Sequence, residues 1–238
     1  MALLQACKIH CSNTPRLRLI HVNDSATITA IEVQKRNKNR LSIYLDDDFA
    51  FGLDSSIVVE YDLKKGDRLS GDQITNILLK EEKKRVKQKA YRYLAGRAHS
   101  EKELRDKLTA KGFEKKLIDS VIVEFKDMKL VEDCEFALAY ARSRLLQKPI
   151  GENLLRRELW QKGIGEDIID RTVQSAYSEK SQSELVIGLV KKRKSRYQGL
   201  DELTAKKKLG DFLVQRGFDW ELAKEVLDEV YLKRKEIE

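Results

Sequence analysis

Proline is almost absent: Pro15 and Pro149 are the only two in 238 residues. So few breakers, alongside much Leu, Lys, Glu and Arg, favour long helices. Cysteine is scarce too. Cys7, Cys11 and Cys134 make an odd count at irregular spacing, which argues against a disulfide framework and for a reducing compartment, the cytoplasm. No stretch approaches about 18 consecutive apolar residues, so no membrane span is expected. The apolar part of Met1–Ile9 is too short for a signal peptide, and no clear small-residue cleavage site follows. Histidine is limited to His10, His21 and His99. Cys7, His10 and Cys11 have no second ligand pair downstream, so no metal site is expected there. His99, ahead of a serine, reads as solvent-facing. No G-x-x-x-x-G-K-[ST], G-x-S-x-G or H-E-x-x-H motif occurs. No catalytic residue and no cofactor are expected, and the chain does not read as an enzyme.

Charge is abundant. Of all residues, 36% are charged against 41% hydrophobic, and the formal net charge is +8. The balance suits an acidic partner: DNA, RNA or an acidic protein surface.

Residues 1–24 show no sustained period and read as a flexible tail. A small α+β subdomain is expected over 25–71. ATITAIEVQ alternates as a strand, LSIYL (41–45) and FAFGL (49–53) read as two more, and KRNKNR as a polar turn. Asp46, Asp47 and Asp48 form an acidic turn, as backbone preference explains without a cation. DSSIVVEYDL (54–63) supplies a covering helix. A connecting helix then spans 72–97, and its segment KEEKKRVKQKA (80–90) carries six basic and two acidic residues. That segment suits either a solvated helical face or a phosphate backbone.

The stretch RAHSEKELRDKLTAKGF (97–113) reads as a helix with both ends specified. Ser100 and Glu103 form a capping box, and Gly112 supplies a left-handed stop. The design returns twice, in LLRRELWQKGI (154–164) and KLGDFLVQRGF (208–218). Gly112, Gly163 and Gly217 lie 51 and 54 residues apart, a period that signals a helical array. Relative to each glycine, Leu104, Leu155 and Leu209 stand eight before, and Leu108, Leu159 and Leu213 four before. Phe113, Ile164 and Phe218 follow it directly, and Leu117, Ile168 and Leu222 stand five after. A third helix, from Asp133 to about Gln147, is expected to be capped by Asp133. The fold class is therefore mainly α: tandem three-helix repeats forming an elongated array, preceded by the α+β subdomain. Its divisions are 98–148, 149–198 and a two-helix partial repeat, 199–238. Trp160 points off the core line.

Basic residues concentrate in the second and third repeats. KKRKSR contributes Lys191, Lys192, Arg193, Lys194 and Arg196, and a second run is Lys206, Lys207 and Lys208. The latter oppose the helix dipole unless their helix starts earlier, at Asp201. Arg142, Arg144, Arg156 and Arg157 add to the set. All twelve are candidate partner- or DNA-binding residues.

The repeat residues carry a family resemblance over about 90–238. RAHSEKELRDKLTAKGF resembles the first repeat of the RecX regulatory proteins, bacterial modulators of the RecA recombinase. LVEDCEFALAYARSR resembles a further family segment through Asp133, Phe136, Ala137, Tyr140 and Arg144, with Glu135 where the family usually carries arginine. GENLLRRELWQKGI and KLGDFLVQRGF resemble the second and third repeats. The resemblance implies a non-enzymatic, cytoplasmic regulator of DNA repair, recombination and the SOS response. It would bind the RecA–DNA filament in its groove and limit strand exchange, ATPase and co-protease activities. DNA would be met directly or through the filament, no membrane would be involved, and a monomer is expected. The alternative is a freestanding helical DNA-binding protein such as a transcription factor. The repeated helices lack the Arg, Asn and Gln clusters suited to reading base edges, which disfavours it.

Overall fold

The computed structural model describes residues 25–178 and 181–235. Cys7, His10, Cys11, His21 and the rest of 1–24 lie outside them. The chain is mainly helical with a small N-terminal sheet. Two compact units form: the described residues up to Gly96 with Arg105–Phe125, and Arg97–Leu104 with the residues from Lys126 onward.

In the first unit, β1 (Ala26–Gln34), β2 (Asn37–Leu45), β3 (Asp48–Asp54) and β4 (Arg68–Leu69) form one antiparallel sheet ordered β3-β2-β1-β4. Two of these features differ from the sequence reading. Asn37–Arg40 belongs to β2, because polar side chains do not prevent ladder pairing where one face meets water. β4 is a two-residue strand pairing Leu69 with Ala26, too short to show alternation. The β2–β3 turn holds Asp46 and Asp47 at φ 47° and 71°, the twisted two-residue turn in which Asp is favoured. Ile28, Ile43, Phe51 and Leu53 are buried under α1 (Ser55–Glu60) and the start of α2 (Gly71–Gly96), which contributes Ile74 and Ile77. Asp54 caps α1 by accepting from Ser56 N at 3.1 Å.

The remaining helices are α3 (Glu101–Thr109), α4 (Lys115–Asp127), α5 (Asp133–Gln147), α6 (Glu152–Gln161), α7 (Glu166–Ser178), α8 (Gln182–Lys194), α9 (Glu202–Gln215) and α10 (Trp220–Lys235). A 3-10 turn, Ser195–Tyr197, follows α8. Gly112, Gly163 and Gly217 have φ between 79° and 82°, so each ends its helix in the left-handed conformation. The leucines eight and four residues before each glycine are fully buried. After the glycine, the buried line runs one residue later than the sequence reading placed it. Leu117, Ile168 and Leu222 are half-buried, whereas Ile118, Ile169 and Ala223 are buried. Positions nine and ten after the glycine, Val121–Ile122, Thr172–Val173 and Val226–Leu227, complete that face.

Packing groups the helices one step out of phase with divisions at 98, 149 and 199. In the second unit, α5, α6 and α7 share one core, with Phe136, Ala137, Leu155, Leu159, Ile169 and Val173. Similarly, α8, α9 and α10 share another, with Val186, Val190, Leu209, Leu213, Ala223 and Leu227. In the first unit, Tyr91 of α2 packs on Phe125 of α4 with ring centroids 4.7 Å apart. Lys83 and Lys87 pair with Glu124, and Arg105 with Asp119.

Within the second unit a joint recurs at equivalent repeat positions. The start of α3 sits on the α6–α7 turn: Ser100 Oγ donates to Lys162 O at 2.7 Å and Lys102 Nζ to Gln161 O at 2.9 Å. The start of α6 sits likewise on the α9–α10 turn. Gly151 N donates to Arg216 O at 2.9 Å and Asn153 N to Gly217 O at 3.2 Å. His99 is buried at 5% exposure, not solvent-facing: its Nδ1 lies 2.9 Å from Arg97 O, and the adjoining Ser100, also buried, is tied to Lys162 O. Asp133 does not cap its own helix either. Glu132 holds that position, while Asp133 Oδ1 accepts from Glu101 N at 2.8 Å and so caps α3. No helix among the described residues is long and apolar enough to cross a membrane.

Candidate partner interface

The twelve basic candidates fall into two physical groups. Several are fixed by carboxylates or rings. Arg144 forks onto Glu158 at 2.9 and 2.8 Å, and Tyr140 donates its hydroxyl to the same carboxylate at 2.8 Å. Burial, then the Glu158 hydrogen bond and charge, push the Tyr140 phenol up to about 12. Arg156 bridges Glu152 at 2.8 Å and Asp170 at 2.5 Å. Lys206 lies 3.0 Å from both Glu202 and Asp228. These three side chains brace helices, and their charge is locally answered.

The second group faces water. Lys191, Lys192, Lys207, Lys208, Arg142, Arg157 and Arg196 are exposed. None has a carboxylate partner among the described residues. The two lysine runs meet through an aromatic residue: Lys194 stands 4.3 Å and Lys206 5.2 Å from the Tyr231 ring centroid. The dipole problem at Lys206–Lys208 disappears because α9 does start early. Asp201 caps it, accepting from Thr204 N at 2.9 Å, which moves the lysines into the second turn. At the end of α8, the other run complements the helix dipole. Arg142 and Arg157, on α5 and α6, are not joined to these runs by any ring or ion-pair contact among the described residues.

One further cation, Arg216, stands directly before a repeat glycine and is not among the twelve candidates. Arg216 and Arg193 both lie against Phe212, with guanidinium carbons 4.9 and 4.0 Å from its centroid. Burial, with Arg144 and Arg193 nearby, lowers the Arg216 pKa. Arg216 Nη1 donates to Pro149 O at 2.9 Å, which anchors the second joint. Its counterpart before the preceding glycine, Lys162, was the signal. Lys162 lies 4.8 Å from the Tyr140 ring centroid and donates to Glu103 Oε1 at 2.7 Å.

Glu103 also accepts from Arg97 at 2.8 Å. Burial pushes its carboxyl up, but the hydrogen bonds and charges of Arg97 and Lys162 outweigh this and bring it down from 4.5 to about 2. A carboxyl lowered on folding stabilises above its unfolded value and loses that contribution as pH falls through its folded value. Glu103→Gln should therefore lower the Tm at neutral pH. The gap to the parent should close between about pH 4.5 and about pH 2, and thermal melts across that window check it.

Comparison with known proteins gives a consistent result. Four models of one family match in order: "Regulatory protein RecX N-terminal domain" over residues 26–70, and the first, second and third RecX three-helix domains over 87–125, 133–173 and 181–227. Those spans coincide with the phase seen in the packing. A "Regulatory protein RecX" of Bacillus cereus (strain B4264) is 32% identical over 209 residues, covering 86% of this chain and 77% of that protein. One of Bacillus pumilus (strain SAFR-032) is 35% identical over 206 residues, with the same shares covered. A crystal structure of regulatory protein RecX is 28% identical, with a TM-score of 0.68, covering 85% of this chain and 99% of that one.

Proposed function

Because the chain belongs to the RecX family of regulatory proteins, we propose that it binds the filament RecA forms on DNA and limits RecA's recombinase, ATPase and co-protease activities. The observation that carries this reading is the ordered presence of all four family domains in one chain. The cationic surface of α8 and α9 supports it by supplying attraction to a polyanion. Lys191, Lys192, Lys207 and Lys208 offer charge that no described carboxylate answers, and such attraction raises the association rate and makes binding salt-sensitive. In this reading the protein works in the cytoplasm, as a monomer and without a cofactor.

The test is RecA's DNA-dependent ATP hydrolysis, followed while substoichiometric amounts of this protein are added. A fall in rate on growing filaments is expected. An unchanged rate at every ratio, on growing and fully assembled filaments alike, would overturn the reading. A gel shift on bare DNA runs beside it, and tight, sequence-selective binding without RecA would favour a transcription factor instead.

A further inference from the structure

The basic run on α2 is not used by the α8–α9 surface, and the structure divides it into two parts. Lys80 pairs with Glu60 at 2.7 Å, Lys84 with Asp54 at 2.6 Å, and Lys83 and Lys87 with Glu124. These four hold the first unit together. Arg85, Lys89 and Arg92 follow a different line, at spacings of four and three residues that align them along one helix face. With Arg40 of β2 they line a cleft of about 420 Å³. Its one acidic lining residue, Asp54, is already engaged by Lys84 and by Gln88 Nε2 at 3.3 Å.

Two of the four cations have their charge answered. Arg40 is clamped between Glu81 Oε1 at 2.7 Å and Gly52 O at 2.9 Å, and Arg85 reaches Glu82 at 2.7 Å. Lys89 and Arg92 have no carboxylate among the described residues; Lys89 lies 5.2 Å from the Tyr93 ring centroid. Unanswered positive charge therefore sits in a concavity whose one carboxylate is already hydrogen-bonded. The remaining wall is mixed in a telling way. Asn37 and Asn39 bring side-chain amides, with Asn37 Oδ1 fixed by the Asn39 N–H at 3.1 Å, and Phe113 brings a half-buried aromatic ring. Guanidinium and ammonium groups suit phosphate, amides suit the polar edge of a base, and an aromatic ring suits its face. The volume falls in the range of small-ligand sites.

We propose that this cleft binds a phosphorylated nucleoside, with the phosphate at Lys89 and Arg92 and the base against Phe113. The ligand is a free nucleotide or one unit of a single strand. The site shares no residue with the surface proposed for the filament, and the outcome of the ATPase assay does not bear on it.

Calorimetric titration of the full chain at low salt tests it, with adenosine monophosphate, inorganic phosphate and a short oligothymidylate as probes. Saturable binding of the nucleotide is expected, at least about tenfold tighter than phosphate because stacking adds to the charge contact. The double variant Lys89→Gln/Arg92→Gln should weaken nucleotide binding at least about tenfold with circular dichroism and Tm unchanged. Lys191→Gln/Lys192→Gln should leave it intact. Displacement of the nucleotide by the oligothymidylate would support the strand form, and its retention under saturating oligothymidylate the free-nucleotide form. The proposal is overturned if neither nucleotide nor strand binds saturably at millimolar concentration. Equal binding by the double variant and its parent, or phosphate binding as tightly as the nucleotide, would overturn it too.

Discussion

Gly217→Ala should lose about 3–5 kcal/mol of stability, combining backbone strain, overlap and lost hydrogen bonds. Gly217 has φ +82°, where a Cβ costs roughly 1–2 kcal/mol by itself. The larger part comes from its neighbours. A Cβ would overlap the backbone nitrogen and Cβ of Leu154, in the first turn of α6. To make room, the start of α6 must lift, which breaks the bonds from Gly151 N to Arg216 O and from Asn153 N to Gly217 O. Gly66→Ala is the control. Gly66 has φ +96° but nothing within 4 Å of a Cβ, so that variant carries the backbone strain alone. Urea unfolding of both variants separates the two contributions. Equal losses would show that the joint on the α9–α10 turn adds nothing to stability.

The second large effect concerns function. Replacing Lys191, Lys192, Lys207 and Lys208 by Gln removes four exposed charges that have no carboxylate partner among the described residues. If each meets a phosphate, the log–log salt slope for filament binding should fall by about 3–4. Affinity at low salt should drop by about two orders of magnitude, with Tm unchanged. Arg193 and Lys206 stay in place, since one lies on Phe212 and the other pairs with Glu202 and Asp228. Arg144→Gln, by contrast, should act through folding, because it leaves the half-buried Glu158 carboxylate without its two-pronged guanidinium partner. Filament affinity measured over a series of salt concentrations decides the matter. Unchanged binding throughout would leave the four lysines as a solvated face.

The period of the array was legible because each glycine must adopt a conformation that other residues resist, so the stop signal is chemical and local. The phase was not. A period fixes where units recur but not which three helices share a core; that depends on packing of α5 with α7 and of α8 with α10. The one-residue offset of the buried line has a related cause. Leu117, Ile168 and Leu222 are apolar yet only half-buried, while the position beside them is filled by Ile118, Ile169 and Ala223. Apolar neighbours at adjacent helix positions leave the face undetermined until a partner helix is in place. Among the charged residues, the pairs Glu152–Arg156 and Glu202–Lys206 were readable, being four apart on one helix. Arg144–Glu158 was not, since it joins α5 to α6 across 14 residues. Asp133 shows the same limit: its side chain looks like a local cap and serves a backbone N–H 32 residues away.

The joint between successive helix starts and turns bears on how many times the pattern can be used. Twelve residues before its glycine, α3 has Ser100 and α6 has Gly151, each standing just outside its helix where main-chain and side-chain groups are free to dock. The same position in α9 is Ala205, buried inside a helix that begins at Glu202. One added turn accounts for the longer second interval between the glycines. It also consumes, in its own hydrogen bonding, the groups that the other two helices present to a neighbour. The joint is therefore made at α3 and again at α6, while at α9 the equivalent position lies within the helix and its N–H bonds to Asp201 O.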